Sequence, residues 1–356
     1  MRKISLAATV ACTLAVAGTA LTSTATAAPA ADDLGSGRYI VVLEDGVAAR
    51  AVAAAHTERF GLDLGHVYTS ALKGYSATMP SSVATVLEKL PTVAWVQRDG
   101  AVSTTAQSTP SGIDRANADA SPTAAINGSD ERVDVDVAVI DTGVDLDHTD
   151  LNVNRAGARN CSLLSLSAND GNGHGTHVAG TIGALDNGAG VVGMAPGARI
   201  WPVKVLSDLG TGFNSDVICG IDYVAANAAS IEVANMSLGG SGTDGGSCGA
   251  TSGDAMHAAI CEAVSAGVTF VVAAGNDAAD AAGFTPAAYD EVITVSALAD
   301  FNGLPGGGAA ATCRDDVDDT FASFSNYGSD VDIIAPGVCI TSTWNDGTYN
   351  TISGTS

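Results

Sequence analysis

The sequence predicts an α/β protein: a mainly parallel sheet with helices on both faces, preceded by a small α+β module. Three observations lead there. From about residue 133 onward, strand-like runs alternate with helical ones, the order expected when helical crossovers join parallel strands. Val133 to Ile140 is β-branched at one parity and runs straight into Asp141-Thr142-Gly143, which places a carboxylate at a strand's carboxyl end. The 42 glycines are too many for a helical bundle and suit the tight turns of a sheet-based fold.

The small module lies between Gly37 and about Ser103. Arg38 to Leu43 reads as a strand closed by Asp45-Gly46, and Val47 to Phe60 as an Ala-rich helix stopped by Gly61. His66 to Met79 holds two short strands around Gly74. Ser81 and Ser82 offer caps for a helix through Leu90, Pro91 follows it, and Val93 to Val96 is a last strand. The order β-α-β-β-α-β is the split, ferredoxin-like arrangement, which by itself hosts many functions. Thr104 to Ser111 is then a polar linker suited to cleavage.

In the larger part, the strands read as Val133–Ile140, Ile200–Leu206, Val233–Leu238, Thr269–Ala274, Val292–Ala297 and Val331–Ile334. His174–Ala184, Val217–Ala229 and Asp254–Ala266 read as the helices between them. Leu304 to Val317 has no core-forming pattern and reads as an insertion.

The net charge of −24 leaves no basic surface for nucleic acid or anionic membranes. Such acidity serves solubility first; cationic substrates, salt adaptation or calcium are further uses. Arg2 and Lys3 precede an apolar stretch from Ile4 to about Leu21, and Ala25-Thr26-Ala27 has the form of a signal-peptidase site. The stretch is short and broken by Thr and Gly, unlike a membrane anchor. Export is therefore expected, with residues 1–27 as the signal. Of seven cysteines, Cys12 lies in that segment, and six in an exported chain point to disulfides, with 15 possible pairings. None has C-x-x-C spacing, so zinc is not expected.

Three segments carry chemistry: Val137-Ala138-Val139-Ile140-Asp141-Thr142-Gly143; Gly171-Asn172-Gly173-His174-Gly175-Thr176-His177-Val178-Ala179-Gly180; and Ser353-Gly354-Thr355-Ser356. A serine hydroxyl is a poor nucleophile until an imidazole takes its proton, and the imidazolium needs a buried carboxylate. In this order and spacing the segments resemble the three active-site signatures of the subtilases. The resemblance implies a subtilisin-like fold and a serine endopeptidase with Asp141 as carboxylate, His174 as base and Ser356 as nucleophile. Glycines beside His174 would let substrate backbone approach the imidazole, while His177 would pack into the fold.

Further roles follow from that resemblance. Asn276, after Val271 to Gly275, would donate to the oxyanion. Ser237, Leu238 and Gly239 would form one substrate rail and Gly210, Thr211 and Gly212 the other, with substrate added as an antiparallel strand. Ala273, Ala274 and Gly275 would wall an uncharged first pocket, favouring large apolar or aromatic side chains and broad specificity. A calcium ion would take side-chain oxygens of Gln107, Asp150 and Asn187 with carbonyls of Leu185, Ala189 and Val191. A second would use Asp332 with carbonyls of Asp290 and Val292. No organic cofactor is expected. Cys248, in a Gly-rich insertion after Gly239-Gly240, and Cys261, on the helix that follows, read as one short closed loop, while the pairings Cys161–Cys219 and Cys313–Cys339 are implied by rough positions in the family fold.

Residues 28–105 resemble the subtilase propeptide, a chaperone and inhibitor released by self-cleavage between Thr105 and Ala106, leaving a monomeric peptidase domain over 106–356. In the family the serine opens a long helix followed by further elements, so the peptidase domain is expected to be incomplete at Ser356 and this fragment inactive as it stands. A truncated, inactive relative that binds and inhibits other subtilases is the alternative.

Overall fold

The computed structural model describes residues 36–99 and 107–356, which fall into two compact units. The signal segment and the Thr105–Ala106 bond lie outside the described residues.

The first unit runs β1 (Ser36–Leu43), α1 (Ala49–Phe60), β2 (Asp63–Tyr68), β3 (Gly74–Pro80), α2 (Ser81–Leu87) and β4 (Val93–Arg98). Its sheet is antiparallel in the order β2-β3-β1-β4. Val41, Leu43, Tyr75, Ala77 and Met79 of the sheet meet Ala49, Ala53, Ala84 and Leu87 of the helices in one core. Helix α1 ends on left-handed Gly61, as a C-terminal glycine allows. The serine cap expected for α2 is not formed: Pro80 occupies the cap position, and Ser81 and Ser82 are already helical.

The second unit begins with α3 (Ser111–Arg115) and then alternates β5 (Asp136–Asp141), β6 (Arg159–Asn160), α4 (His174–Gly183), β7 (Arg199–Lys204), α5 (Asn214–Ala226), β8 (Val233–Met236), β9 (Gly240–Ser241), α6 (Ala255–Ser265), β10 (Thr269–Ala273), β11 (Phe284–Thr285), β12 (Ile293–Ala299), β13 (Thr320–Phe321) and β14 (Ile333–Pro336). A hairpin of β15 (Ile340–Thr343) and β16 (Tyr349–Ile352) follows. Strands order as β13-β12-β10-β8-β5-β7-β6 with β14 beside β12. All these pairings are parallel except that of β13.

Strand β5 shows why helices cover both faces. Ala138 and Ile140 enter the core built with Val217 and Ile221 of α5 and Ile260 of α6. Val137 and Val139 enter the opposite core, with Val178 and Ala179 of α4. Both sides are apolar, so neither can be left in water; each large side chain buried contributes roughly 1.5–3 kcal/mol. The chain leaves β5 toward β6 and β7 on one side and returns to β8 on the other, which makes a crevice at the carboxyl end of β5.

Disulfides join Cys161 to Cys219, Cys248 to Cys261 and Cys313 to Cys339. The Gly-rich segment after β9 is fastened further by buried His257, whose Nε2 lies 2.7 Å from Glu291 and whose ring stacks on Tyr289. The 304–317 insertion is tied down by Cys313, and Arg115 bridges Asp300 and Asp319 beside it.

Candidate active site

Asp141 ends β5, is fully buried, and accepts a hydrogen bond from its neighbour's N–H, Thr142 N to Oδ1, at 2.6 Å. His174 opens α4 behind left-handed Gly173. Its Nδ1 lies 2.7 Å from Asp141 Oδ1. An ionised carboxylate can only accept, so the imidazole proton sits on Nδ1 and Nε2 is free to act as a base. Burial pushes the His174 pKa down, but the charge and hydrogen bond of Asp141 and the charge of Asp170 outweigh it and hold the pKa above its ordinary value.

The flanking glycines are packed too closely for a side chain. A Cβ on Gly175 would sit 2.1 Å from the Gly143 carbonyl and 3.1 Å from Asp141 Cβ, and one on Gly173 would strike Trp344. Gly175 lets α4 close onto the end of β5, and Gly173 leaves room for Trp344. His177 points away, buried, with Nε2 at 2.9 Å from the Ile340 carbonyl and its ring edge-on to Trp344. Burial lowers its pKa to about 4, so it is neutral where His174 works.

Ser356 lies in the same crevice as His174, Ser237 and Asn276. Its carbonyl accepts from Ser237 Oγ at 2.9 Å, while its own hydroxyl faces the Ser237 carbonyl at 3.5 Å. Ser356 and His174 line one cleft without a hydrogen bond between them. Asn276 Oδ1 accepts from Thr355 N at 2.9 Å and Thr355 Oγ1 at 3.1 Å. With its oxygen held there, the amide's two N–H donors have no protein partner among the described residues.

Gly210, Thr211, Gly212, Ser237, Leu238 and Gly239 line the crevice with His174, Asn276 and Ser356. The adjoining depression is walled by Ala273, Ala274 and Gly275 with Ser237 to Ser241, Phe284 and Thr285.

The residues expected around calcium converge, apart from Ala189, which enters only through its N–H donated to Asn187 Oδ1. Gln107 Nε2 is 2.6 Å from the Leu185 carbonyl and 3.1 Å from that of Val191; Asn187 Nδ2 is 2.9 Å from Asp150 Oδ1. A half-turn of either amide presents oxygen instead of nitrogen to the same cradle. Asp150 is fully buried, and burial raises its pKa despite Val191 N–H, Tyr349 hydroxyl and Asn187 contacts. A buried carboxylate among converging carbonyls fits a hard cation. At the second expected site, the exposed Asp332 accepts from the Thr294 N–H at Oδ2 and donates its own N–H to the Thr294 carbonyl at 3.0 Å.

Sequence reasoning missed several contributors. Asp170 sits in an Asn-Asp-Gly-Asn-Gly run that reads as any polar turn, yet it is buried and holds five donors. Lys204 is fully buried at the end of β7, its ammonium on the Thr142 carbonyl and 2.9 Å from Asp208. Tyr349, from the last hairpin, reaches Asp150 at 3.1 Å.

The description of the subtilase family matches residues 133–356. Subtilisin NAT of Bacillus subtilis subsp. natto is 39% identical over 284 residues, covering 79% of this chain and 66% of that protein. An extracellular serine proteinase of Thermus sp. (strain Rt41A) is 38% identical over 305 residues, covering 83% and 66%. The chain thus spans just under two thirds of the length of these relatives. A crystal structure of a cold adapted subtilisin-like serine proteinase is similar at 37% identity and a TM-score of 0.46, covering 62% of this chain and 69% of that one. Matched along most of its length and carrying its Asp, His and Ser signatures in the family's order, the chain belongs to the subtilase family.

Proposed function

We propose that this chain is the precursor of a secreted serine endopeptidase that cleaves peptide bonds through an acyl-enzyme. One observation supports this above the rest: a fully buried Asp141 lies 2.7 Å from His174 at a crevice that also bears Ser356 and Asn276. Ser356 Oγ attacks the scissile carbonyl while His174 Nε2 takes its proton, and Asp141 stabilises the imidazolium. The oxyanion accepts from Asn276 Nδ2 and the Ser356 N–H. His174 then passes the proton to the leaving amine, and water repeats the sequence on the ester to release the acid. A sulfonyl-fluoride probe should label Ser356 in the secreted gene product and stop its proteolysis. A folded product that neither takes the label nor cleaves protein would remove this reading.

The uncharged walls of Ala273, Ala274 and Gly275 favour large apolar or aromatic side chains before the scissile bond. The 36–99 unit acts as chaperone and inhibitor until the Thr105–Ala106 bond is cut. Amino-terminal sequencing of the secreted product should begin at Ala106. A start more than a few residues away would rule out this cut and the Gln107 ligand with it.

Calcium would be held by Gln107, Asp150 and Asn187 side chains with the carbonyls around them. What it supplies is charge that lets Asp150 stay ionised and ties the 107 segment to the 185–191 loop, already joined by Gln107 N to the Gly188 carbonyl and Ser108 N to that of Gly190. Binding to the folded state alone stabilises by about 2.7 kcal/mol at a hundredfold excess over Kd. Chelation should shorten the heat-inactivation half-life without altering cleavage preference, and Asp150→Asn should do the same at low calcium. An unchanged half-life in EDTA would leave the 185–191 segment a plain surface turn.

A further inference from the structure

We infer that Asp170 is a positioning residue of the peptidase site, a second carboxylate that locks the Asp141 turn and the His174 helix into one unit. The inference rests on the peptidase reading above and extends it. Asp170 Oδ1 accepts from Thr142 Oγ1, Asn172 N and Gly173 N, each at 2.9 Å. Its Oδ2 accepts from Thr176 N at 3.0 Å and Thr176 Oγ1 at 2.6 Å. Thr142 Oγ1 in turn accepts from Gly175 N at 2.9 Å, and Thr142 N reaches Asp141.

Helix α4 lacks a side-chain cap from Gly173, so its first N–H groups are met from outside: His174 N by Asn172 Oδ1, Gly175 N by Thr142 Oγ1 and Thr176 N by Asp170 Oδ2. Five donors onto one buried group leave no place for an amide: an Asn here would set its NH₂ against N–H or O–H donors. Each bond to an ionised acceptor is of the stronger kind, and the group is only 2% exposed. Thr142 therefore joins Asp141, Asp170 and the start of α4, and Thr176 joins α4 to the same carboxylate. Glycine spacing alone could bring the two segments together, but it cannot fix their rotation.

The same charge acts on the imidazole. The charged and titratable groups around His174 are Asp141 from β5, Asp170 from the loop before α4, His177 on α4, and Lys204 from β7 with its partner Asp208. Asp170 favours the imidazolium, so its neutralisation lowers the pH at which His174 loses its proton. The acid limb of kcat/KM reports that proton in the free enzyme and should move down.

Two variants test this in the secreted enzyme, with rates expressed per site titrated by the sulfonyl-fluoride probe. Asp170→Asn should lower kcat on the order of 10²-fold at nearly constant KM and move the acid limb to lower pH. Thr142→Val removes the link but keeps the charge; kcat should fall about tenfold with the acid limb in place. If Asp170→Asn is not secreted, Thr142→Val alone decides, since wild-type kcat per titrated site in that variant overturns the proposal. Wild-type kcat and an unmoved acid limb in Asp170→Asn would likewise reduce Asp170 to a folding role. A wild-type product that does not hydrolyse peptides would instead defeat the peptidase reading itself.

Discussion

Replacing His174 with alanine should abolish self-processing and peptide hydrolysis together. Triad members act as a unit, so losing one costs nearly as much as losing all; in subtilisin itself the loss is on the order of 10⁶-fold in kcat. The neighbouring His177→Gln change should leave the rate per active site within a few-fold. His177 is buried with its Nε2 on the Ile340 carbonyl, and its pKa lies near 4 in the fold. Between about pH 6.5 and 4 the unfolded chain therefore binds a proton there that the folded chain refuses. Wild-type melting temperature should fall with pH across that window, and His177→Gln should flatten the fall. Kinetics and a pH series of melting curves check both halves. Efficient self-cleavage by His174→Ala would refute the assignment of the base.

Asn276→Ala should lower kcat by roughly 10²–10³-fold, about 3–4 kcal/mol of barrier, the range found for the oxyanion asparagine of subtilisin. KM should hardly move, because the amide meets full negative charge only in the transition state. The structure adds a detail that the residue type does not. Thr355 captures Asn276 Oδ1 through both its N–H and its hydroxyl, which leaves the NH₂ as the end presented to a ligand. Thr355→Val keeps the N–H bond but loses both hydroxyl bonds, the one to Asn276 Oδ1 and the one accepted from Gly275 N, so a smaller drop in kcat is expected, on the order of tenfold from two bonds of about 1 kcal/mol each. Steady-state kinetics on a peptide anilide would measure both. A rise in KM with kcat unchanged for Asn276→Ala would make it a ground-state binding residue instead.

The alternation of strands and helices was legible because the inner strands β5 and β7 are buried on two sides, as Ala138, Ile140 and Val137, Val139 show on β5. The small first unit was equally plain, since its strands and helices carry one apolar face each around a single core. Two-residue strands such as Arg159–Asn160 and Thr320–Phe321 were not, because two residues hold no period. The β15–β16 hairpin was also missed. Its Ser- and Thr-rich strands look like loop, yet Ser342 and Thr343 hydroxyls donate to the His177 and Thr176 carbonyls at 2.7 Å and so brace α4.

By itself the sequence determined the order of elements, the two-faced sheet, and the three segments whose residue types can run nucleophilic catalysis on a peptide bond. Those follow from local period and side-chain chemistry, which neighbours along the chain already decide. Only the tertiary structure decided which polar groups are taken out of water, and hence their role. Asp170 and Lys204 look like ordinary surface charges until folding buries them among donors and acceptors that lie 28 and 62 residues away at Thr142. Burial is a property of the assembled layers, and the cost of an unpaired buried charge is what forces such distant partners together.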